Sequence, residues 1–314
     1  MTETGVDTAS ARHAPSRGVR DEVAVLLAVA AVVVGLLPWL ATGLRLPLQN
    51  LWLLPTAAED MPLVLLPFSQ YSLMLIFAVL VVGAAAAGVV ARALRDRLSR
   101  RGRILLLGVV PALQLIAVVQ TAVAVRSGLA DTGQAALYLT ALVGVSVLSV
   151  LVGMLSQTLI AVAPRAGALL GLTIAAVAAS SWIGGFLQPF TLFGPDWLLP
   201  VVGLIAWVTP VLTGAAVAWT GVSSPGRVVA ALTSLIVVWV APAAITGISS
   251  AAGSRVLASN PAAMIEYALQ VFASALLIPE LALRPIVATI LIAAIGLAAR
   301  WAIRRRHAGP TGAL

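Results

Sequence analysis

Residues 71–103 read YSLMLIFAVLVVGAAAAGVVARALRDRLSRRGR, an uncharged apolar run that ends in a stretch with six arginines. A helix needs about 20 apolar residues to cross the hydrocarbon core of a bilayer, and the run from 71 to 91 is long enough. Arginines that directly follow such a span are typical of the cytoplasmic side of a membrane protein. The stretch therefore predicts a transmembrane helix whose C-terminal end faces the cytoplasm.

The apolar pattern recurs along the whole chain, which has 314 residues, of which 61% are hydrophobic and only 10% charged. A soluble domain carries about 25% charged residues, so this composition indicates a polytopic membrane protein. We expect an all-α integral membrane helix bundle with about eight transmembrane helices. The predicted spans cover residues 23–42, 71–91, 104–125, 135–163, 167–188, 198–219, 228–249 and 285–303.

These spans form a single predicted transmembrane domain over residues 23–303. Residues 1–22 are polar and mixed in charge, and we expect a disordered cytoplasmic tail there. Residues 304–314 are predicted to be a basic cytoplasmic tail. The segments between spans are shorter than the roughly 50 residues that an independent domain requires, which argues against a fused ATPase, kinase or receptor domain.

The distribution of arginine predicts how the bundle is oriented. With both termini in the cytoplasm, fifteen of the nineteen arginines lie on the cytoplasmic side, and four lie outside, namely Arg45, Arg126, Arg255 and Arg284. This excess follows the positive-inside rule. The chain contains no lysine and is rich in Ala, Val and Leu, which is typical of a GC-rich bacterial genome. We therefore expect a multi-pass protein of the cytoplasmic (plasma) membrane of a bacterium.

The sequence lacks the residues that several kinds of catalytic and metal-binding site need. The chain has no cysteine, its two histidines, His13 and His307, lie in the tails, and no carboxylate falls at the centre of a predicted span. This pattern disfavours thiol nucleophiles, zinc sites and Ser–His catalysis, so we predict no catalytic residue, no metal and no cofactor. The basic isoelectric point, near 11.4, reflects membrane orientation, and no nucleic-acid partner is expected.

A recurring motif gives the candidate substrate pocket. Trp207-Val-Thr-Pro210 and Trp239-Val-Ala-Pro242 lie on two successive predicted spans, and each proline frees a backbone carbonyl near mid-membrane. Two kinked helices with buried indoles can frame a pocket for an amphiphilic ligand, and two independent kinks are the alternative. The candidate pocket comprises Trp207, Thr209, Pro210, Thr213, Thr233, Trp239 and Pro242.

The two long outer loops, about 43–70 and 250–284, supply the second candidate site. The first is unusually apolar and contains four prolines, so it is expected to lie in the interface or to fold back between spans. In the second, Asn260 and Pro261 begin a predicted amphipathic helix that ends at Pro279 and lies at the extracytoplasmic interface. The candidate outer-face polar cluster comprises Arg45, Glu59, Asp60, Glu266 and Arg284. The alternative is that these are separate, solvated loop residues.

Neutral polar and small residues within the spans predict helix packing. Gln114 and Gln157 are expected at similar depth, where their amides can form an interhelical hydrogen bond. Gly167 and Gly171 form a GxxxG pattern, and the GAAAAG run from Gly83 to Gly88 is a second set of small residues. Both patterns are typical of faces where two helices approach closely.

Three functions remain open from the sequence. The first is a permease-like membrane component of a transport or export system for an apolar or amphiphilic substrate. Besides the lipid bilayer, its partners would be other membrane proteins or a separate cytoplasmic ATPase that supplies energy, although the cytoplasmic loops show no recognisable ATPase-coupling motif. The alternatives are a non-catalytic scaffold in envelope assembly or cell division, and an envelope enzyme that acts on a lipid-linked substrate at the outer face. Scattered outer carboxylates with a lipid-sized cleft at the two Trp–Pro helices would favour transport. A filled bundle with no cleft would favour the scaffold, and outer carboxylates clustered around one cavity would favour the enzyme.

Overall fold

The computed structural model describes residues 19–188, 194–196, 198–254, 256–257 and 260–307. Most of the predicted tails, together with Arg255 and the side chain of His307, lie outside the described part. Two short 3-10 helices, Ala58–Asp60 and Gln70–Ser72, lie in the first long loop. The α-helices are α1 (Asp21–Ala41), α2 (Leu73–Ala93), α3 (Arg100–Gly128), α4 (Gly133–Val162), α5 (Arg165–Gly185), α6 (Leu198–Ile205), α7 (Val208–Thr220), α8 (Pro225–Gly253), α9 (Pro261–Leu276) and α10 (Pro279–His307).

The prediction of an all-α membrane bundle with eight transmembrane helices is confirmed. Eight helical segments of the described chain are long and apolar enough to cross a bilayer, with α6 and α7 together forming the sixth. That sixth crossing is interrupted at 206–207, directly before the Thr-Pro pair at 209–210. Between residues 19 and 307, the described backbone forms isolated β-bridges and no strand.

Contacts place both ends of the helical chain at the same end of the bundle, where Arg92 at the end of α2 lies over the ring of Trp219 at the end of α7. The amide of Val19 donates to the carbonyl oxygen of Arg97, which joins the start of α1 to the α2–α3 connection. Near the other terminus, Arg300 of α10 donates to the carbonyl oxygen of Trp219, 2.7 Å away at the end of α7. We call this the arginine end and the opposite end the plug end; which side of a membrane each faces stays a prediction.

Glycines let the backbones of neighbouring helices approach closely around the central helix α2. A Cβ added to Gly35 of α1 would lie 2.8 Å from the Gly83 Cα of α2. At Gly88, an added Cβ would lie 2.7 Å from the Gln157 carbonyl oxygen of α4. Gly171 of α5 approaches α4 in the same way. The predicted packing role of Gly83, Gly88 and Gly171 is therefore confirmed.

The predicted hydrogen bond between Gln114 and Gln157 is wrong. The Gln114 amide nitrogen donates to the Leu80 carbonyl oxygen of α2, 2.7 Å away, and the Gln157 amide nitrogen donates to the Leu107 carbonyl oxygen of α3, 3.1 Å away. Gln114 reaches the backbone of α2 because it passes Gly83, which has no side chain in the way. For each glutamine, a backbone carbonyl oxygen of a neighbouring helix thus takes the place of the other glutamine as the hydrogen-bond partner.

The first long loop folds back between the helices, which decides between the two positions open from the sequence. We call residues 43–72 the plug. Leu46, Met61, Leu66 and Phe68 of the plug are almost completely buried. The indole nitrogen of Trp39 in α1 donates to the Val64 carbonyl oxygen at 2.9 Å. The plug therefore forms part of the hydrophobic core at the plug end of the bundle.

Two side chains of α3 form hydrogen bonds with backbone groups of the plug that have no partner in secondary structure. The Gln120 side-chain oxygen accepts the Leu65 amide at 3.0 Å, and the Thr121 hydroxyl oxygen accepts the Leu66 amide at 3.0 Å. The Gln120 amide nitrogen also donates to the Leu63 carbonyl oxygen at 3.2 Å. Irregular backbone at membrane depth is tolerated only where protein or trapped water pairs its polar groups. These bonds explain how the plug can lie among apolar helices.

Candidate functional site

The two Trp–Pro motifs lie on helices that face different neighbours. Trp207 lies at the break between α6 and α7, is 48% exposed, and borders a groove against α10 that also includes Arg284. The indole nitrogen of Trp239 in α8 donates to the Leu276 carbonyl oxygen at the end of α9, 3.2 Å away. The two indoles therefore border different surfaces of the bundle.

The other residues of the same candidate pocket lie at separate places in the bundle. Thr209 is buried and its hydroxyl lies 2.7 Å from that of Ser180 in α5. Thr213 is fully buried and the Thr233 hydroxyl donates to a carbonyl oxygen one turn back in its own helix. Pro210 is buried in α7 and Pro242 lies inside α8. The structure does not gather these residues around one space with the two indoles.

The candidate outer-face polar residues are also dispersed. Arg45 donates to the Met61 carbonyl oxygen at 3.1 Å and so holds the plug together. Glu59 and Asp60 lie exposed on a 3-10 helix of the plug, whereas Glu266 contacts Gln270 one turn along α9. Arg284 lies in the groove between α7 and α10. None of these five residues takes part in an ion pair of the described chain. In the described chain, they also form no cluster that could hold a metal ion.

A different space, the plug cavity, has the features of a binding site. It has a volume of about 450 Å³ and lies between the plug, α4, and the adjoining ends of α8 and α9. This volume is within the range of about 300–1,000 Å³ that small-molecule sites occupy. The cavity is lined by Asn50, Leu51, Gln70, Leu73, Gln134, Leu137, Tyr138, Ala141, Leu142, Val145, Ala252, Pro261 and Met264.

One stripe of α4 forms the main wall of the plug cavity. Its lining residues follow the spacing i, i+3, i+4, i+7, i+8 and i+11, which places them on one face of the helix. From Gln134 to Val145 the wall extends about 16 Å along the helix axis, at about 1.5 Å per residue. The cavity therefore extends from the plug end well into the membrane-spanning part of the bundle.

Polarity changes along this wall. Amide side chains of Asn50, Gln70 and Gln134 and the Tyr138 hydroxyl lie toward the plug, while Leu142 and Val145 line the deeper part. The lining contains no charged side chain. The cavity is thus amphipathic, with neutral hydrogen-bonding groups at one end and aliphatic groups at the other.

A hydrogen-bonded chain fixes the polar end of the cavity. The Tyr138 hydroxyl donates to the Gln49 side-chain oxygen at 2.7 Å. The Gln49 amide nitrogen in turn donates to the Phe68 carbonyl oxygen at 2.9 Å and to the Pro47 carbonyl oxygen at 2.6 Å. Since these carbonyls belong to the plug, α4 and the plug are held in one arrangement before any ligand binds.

The cavity continues onto the outer surface of the bundle. Leu137 lines the cavity and is nevertheless 50% exposed. In the described chain α4 packs against α2, α3 and α5 without close packing on α8 or α9, which form the opposite wall. This separation leaves an opening between α4 and α9.

Helix α9, which the sequence predicts in the second long loop, borders this opening. The Asn260 side chain caps its first turn by accepting the Ala263 amide at 3.1 Å. Pro261 and Met264, also in the first turn, line the cavity. The cap therefore fixes the part of α9 that forms the cavity wall.

Sequence reasoning missed the plug cavity, although one signal is present. Gln134 and Tyr138 are four residues apart at the start of a predicted span, so they share a face of the helix. What the sequence cannot show is that the plug and α9 leave space in front of that face.

Comparison with known protein families, with curated proteins and with solved structures finds no match to this chain.

Proposed function

We propose that this protein is the permease-like membrane component of a transport or export system and that its substrate is an amphiphile held in the plug cavity. The observation that supports this proposal is a ligand-sized amphipathic cavity that opens to the bundle surface between α4 and α9. A substrate that enters from the bilayer would place its headgroup at the plug and its hydrocarbon chain along Leu142 and Val145.

The lining residues indicate the class of headgroup. The amides of Asn50, Gln70 and Gln134 both donate and accept hydrogen bonds, and the Tyr138 hydroxyl, whose proton bonds Gln49, accepts them. A charged headgroup would be left without a counter-charge, and burying an unpaired charge is costly. We therefore propose an uncharged headgroup rich in hydroxyl or amide groups. Specificity would lie in the headgroup, because a hydrocarbon chain meets similar surroundings in the bilayer and in the cavity.

The same cavity favours transport over the two alternatives. A scaffold needs no ligand-sized cavity. An enzyme that uses outer carboxylates would need Glu59, Asp60 or Glu266 beside its substrate, yet none of them lines the plug cavity. The cavity lining also carries no ionisable carboxylate that could couple movement to protons or sodium. Energy for export would therefore come from a partner such as a separate cytoplasmic ATPase.

Filling the cavity should abolish substrate binding. Ala141→Trp places a large ring in the cavity, whereas Ala136→Trp makes the same change on an exposed part of α4 that does not line it. We expect mass spectrometry to find an uncharged-headgroup amphiphile bound to the wild type and to Ala136→Trp, and about ten-fold less bound to Ala141→Trp. Equal amounts in both variants would show that the cavity is not the binding site.

Transport is tested separately in proteoliposomes. A permease allows a substrate to equilibrate across the bilayer without an energy source, so the wild type should accelerate transbilayer movement of a fluorescent monoglucosyl diacylglycerol. Ala141→Trp should lose this acceleration and Ala136→Trp should keep it. Movement no faster than in protein-free vesicles would overturn transport of this headgroup class, even if binding is observed.

A further inference from the structure

Another groove runs from the middle of the bundle toward the arginine end and shares no lining residue with the plug cavity. It has a volume of about 430 Å³ and runs between α2, α5 and α7. Each helix contributes four residues with the same spacing, i, i+3, i+4 and i+7, so three stripes face one another. The groove is lined by Val82, Ala85, Ala86, Val89, Leu172, Ala175, Ala176, Ala179, Leu212, Ala215, Ala216 and Trp219.

Two arginines lie where this groove reaches the arginine end. Arg92 follows Val89 by one helical turn on α2, and Arg165 begins α5. Both guanidinium groups lie over the ring of Trp219, at 5.2 Å and 5.9 Å from its centroid. Trp219 itself lines the groove, so the two positive charges border its open end.

These two charges lack an acidic partner in the described chain. Four ion pairs occur there, and neither Arg92 nor Arg165 takes part in one. Arg92 is fixed instead by the carbonyl oxygens of Ile160 and Ala163 at the end of α4, 2.7 Å and 2.9 Å away. Two like charges held over one indole repel each other, so an anion between them would be stabilising.

We propose that this groove binds an anionic phospholipid of the adjoining leaflet. Its phosphate would bond Arg92 and Arg165, and one acyl chain would lie along the alanine-rich stripes. Arginine forms strong charge-assisted hydrogen bonds with phosphate, and basic pockets between transmembrane helices are suited to anionic headgroups. From Val82 to Val89 the groove extends about 10 Å along α2, which suits the first part of an acyl chain.

The site is charge-specific, in contrast to the neutral plug cavity, and it does not depend on the proposed transport function. The matched pair Arg165→Gln and Arg227→Gln tests it, because both remove one charge at the arginine end but Arg227 contacts Ser223 and does not border the groove. Ala215→Trp fills the groove and leaves every arginine in place.

Native mass spectrometry would measure retention of phosphatidylglycerol against phosphatidylcholine after extraction from vesicles of the two lipids. We expect the wild type and Arg227→Gln to prefer phosphatidylglycerol, and Arg165→Gln to lose about five-fold in that preference. Ala215→Trp should lose it as well. If both arginine variants lose the preference equally, or if Ala215→Trp retains it, the lipid is held by general surface charge and the groove site is wrong.

Discussion

Gln120→Leu combined with Thr121→Val should release the plug while the helix bundle stays folded. The amides of Leu65 and Leu66 would lose their acceptors, and the Leu63 carbonyl oxygen would lose a donor. A buried backbone group left without a partner costs about 1–3 kcal/mol. Because water is scarce at this depth, the plug can recover these bonds only by moving outward.

The cysteine-free chain makes this release measurable. A single Phe68→Cys change places a thiol at a fully buried position of the plug. We expect a polar maleimide to label this thiol much faster in the double variant than in the parent. Thr140→Val provides the matched control, because the Thr140 hydroxyl bonds the Ala136 carbonyl oxygen of its own helix. Unchanged labelling in the double variant would mean that other contacts hold the plug.

Gly35→Ala should strongly destabilise the bundle, although it adds a single methyl group. The new Cβ would clash with the Val79 carbonyl oxygen and fall 2.8 Å from the Gly83 Cα, and backbone atoms cannot rotate away as a side chain can. The clash would force α1 away from α2, and overpacking of this kind costs about 1–3 kcal/mol. In a membrane protein the loss of close van der Waals packing between helices is not offset by a hydrophobic effect.

Gly144→Ala is the control for this substitution. It adds the same methyl group to a transmembrane helix, but an added Cβ at Gly144 meets no atom within 4 Å. Thermal unfolding in detergent should show a clearly lower midpoint for Gly35→Ala and an unchanged or slightly higher one for Gly144→Ala. Equal midpoints for the two variants would show that α1 and α2 can move apart without loss of stability.

Local sequence information is sufficient for the parts of the fold that depend on one segment at a time. The length of each apolar run predicts the crossings, and the Asn260-Pro261 pair predicts the start of α9, where the Asn260 side chain caps the helix. Small residues at Gly83 and Gly171 predict close helix approach, since a missing side chain favours it regardless of which helix is the neighbour.

The candidate site depends on partners that are distant in sequence, and these are not predictable from local patterns. Leu66 is paired by Thr121, and Tyr138 by Gln49, across connections that no local pattern specifies. The two similar Trp–Pro motifs suggest a shared pocket, but Trp239 bonds the end of α9 while Trp207 lies against α10. A repeated motif indicates similar local structure and does not show which helices are neighbours.

Occupancy of the plug cavity is tested most directly by photo-cross-linking the unmodified protein to an alkyl maltoside that carries a diazirine in its chain. Leu142 lines the cavity and is only 2% exposed, whereas Leu148, further along the same helix, does not line it and is 61% exposed. The amphiphile site predicts an adduct that peptide fragmentation locates to Leu142, and its loss in Ala141→Trp. Adducts confined to lipid-exposed positions such as Leu148 would contradict it.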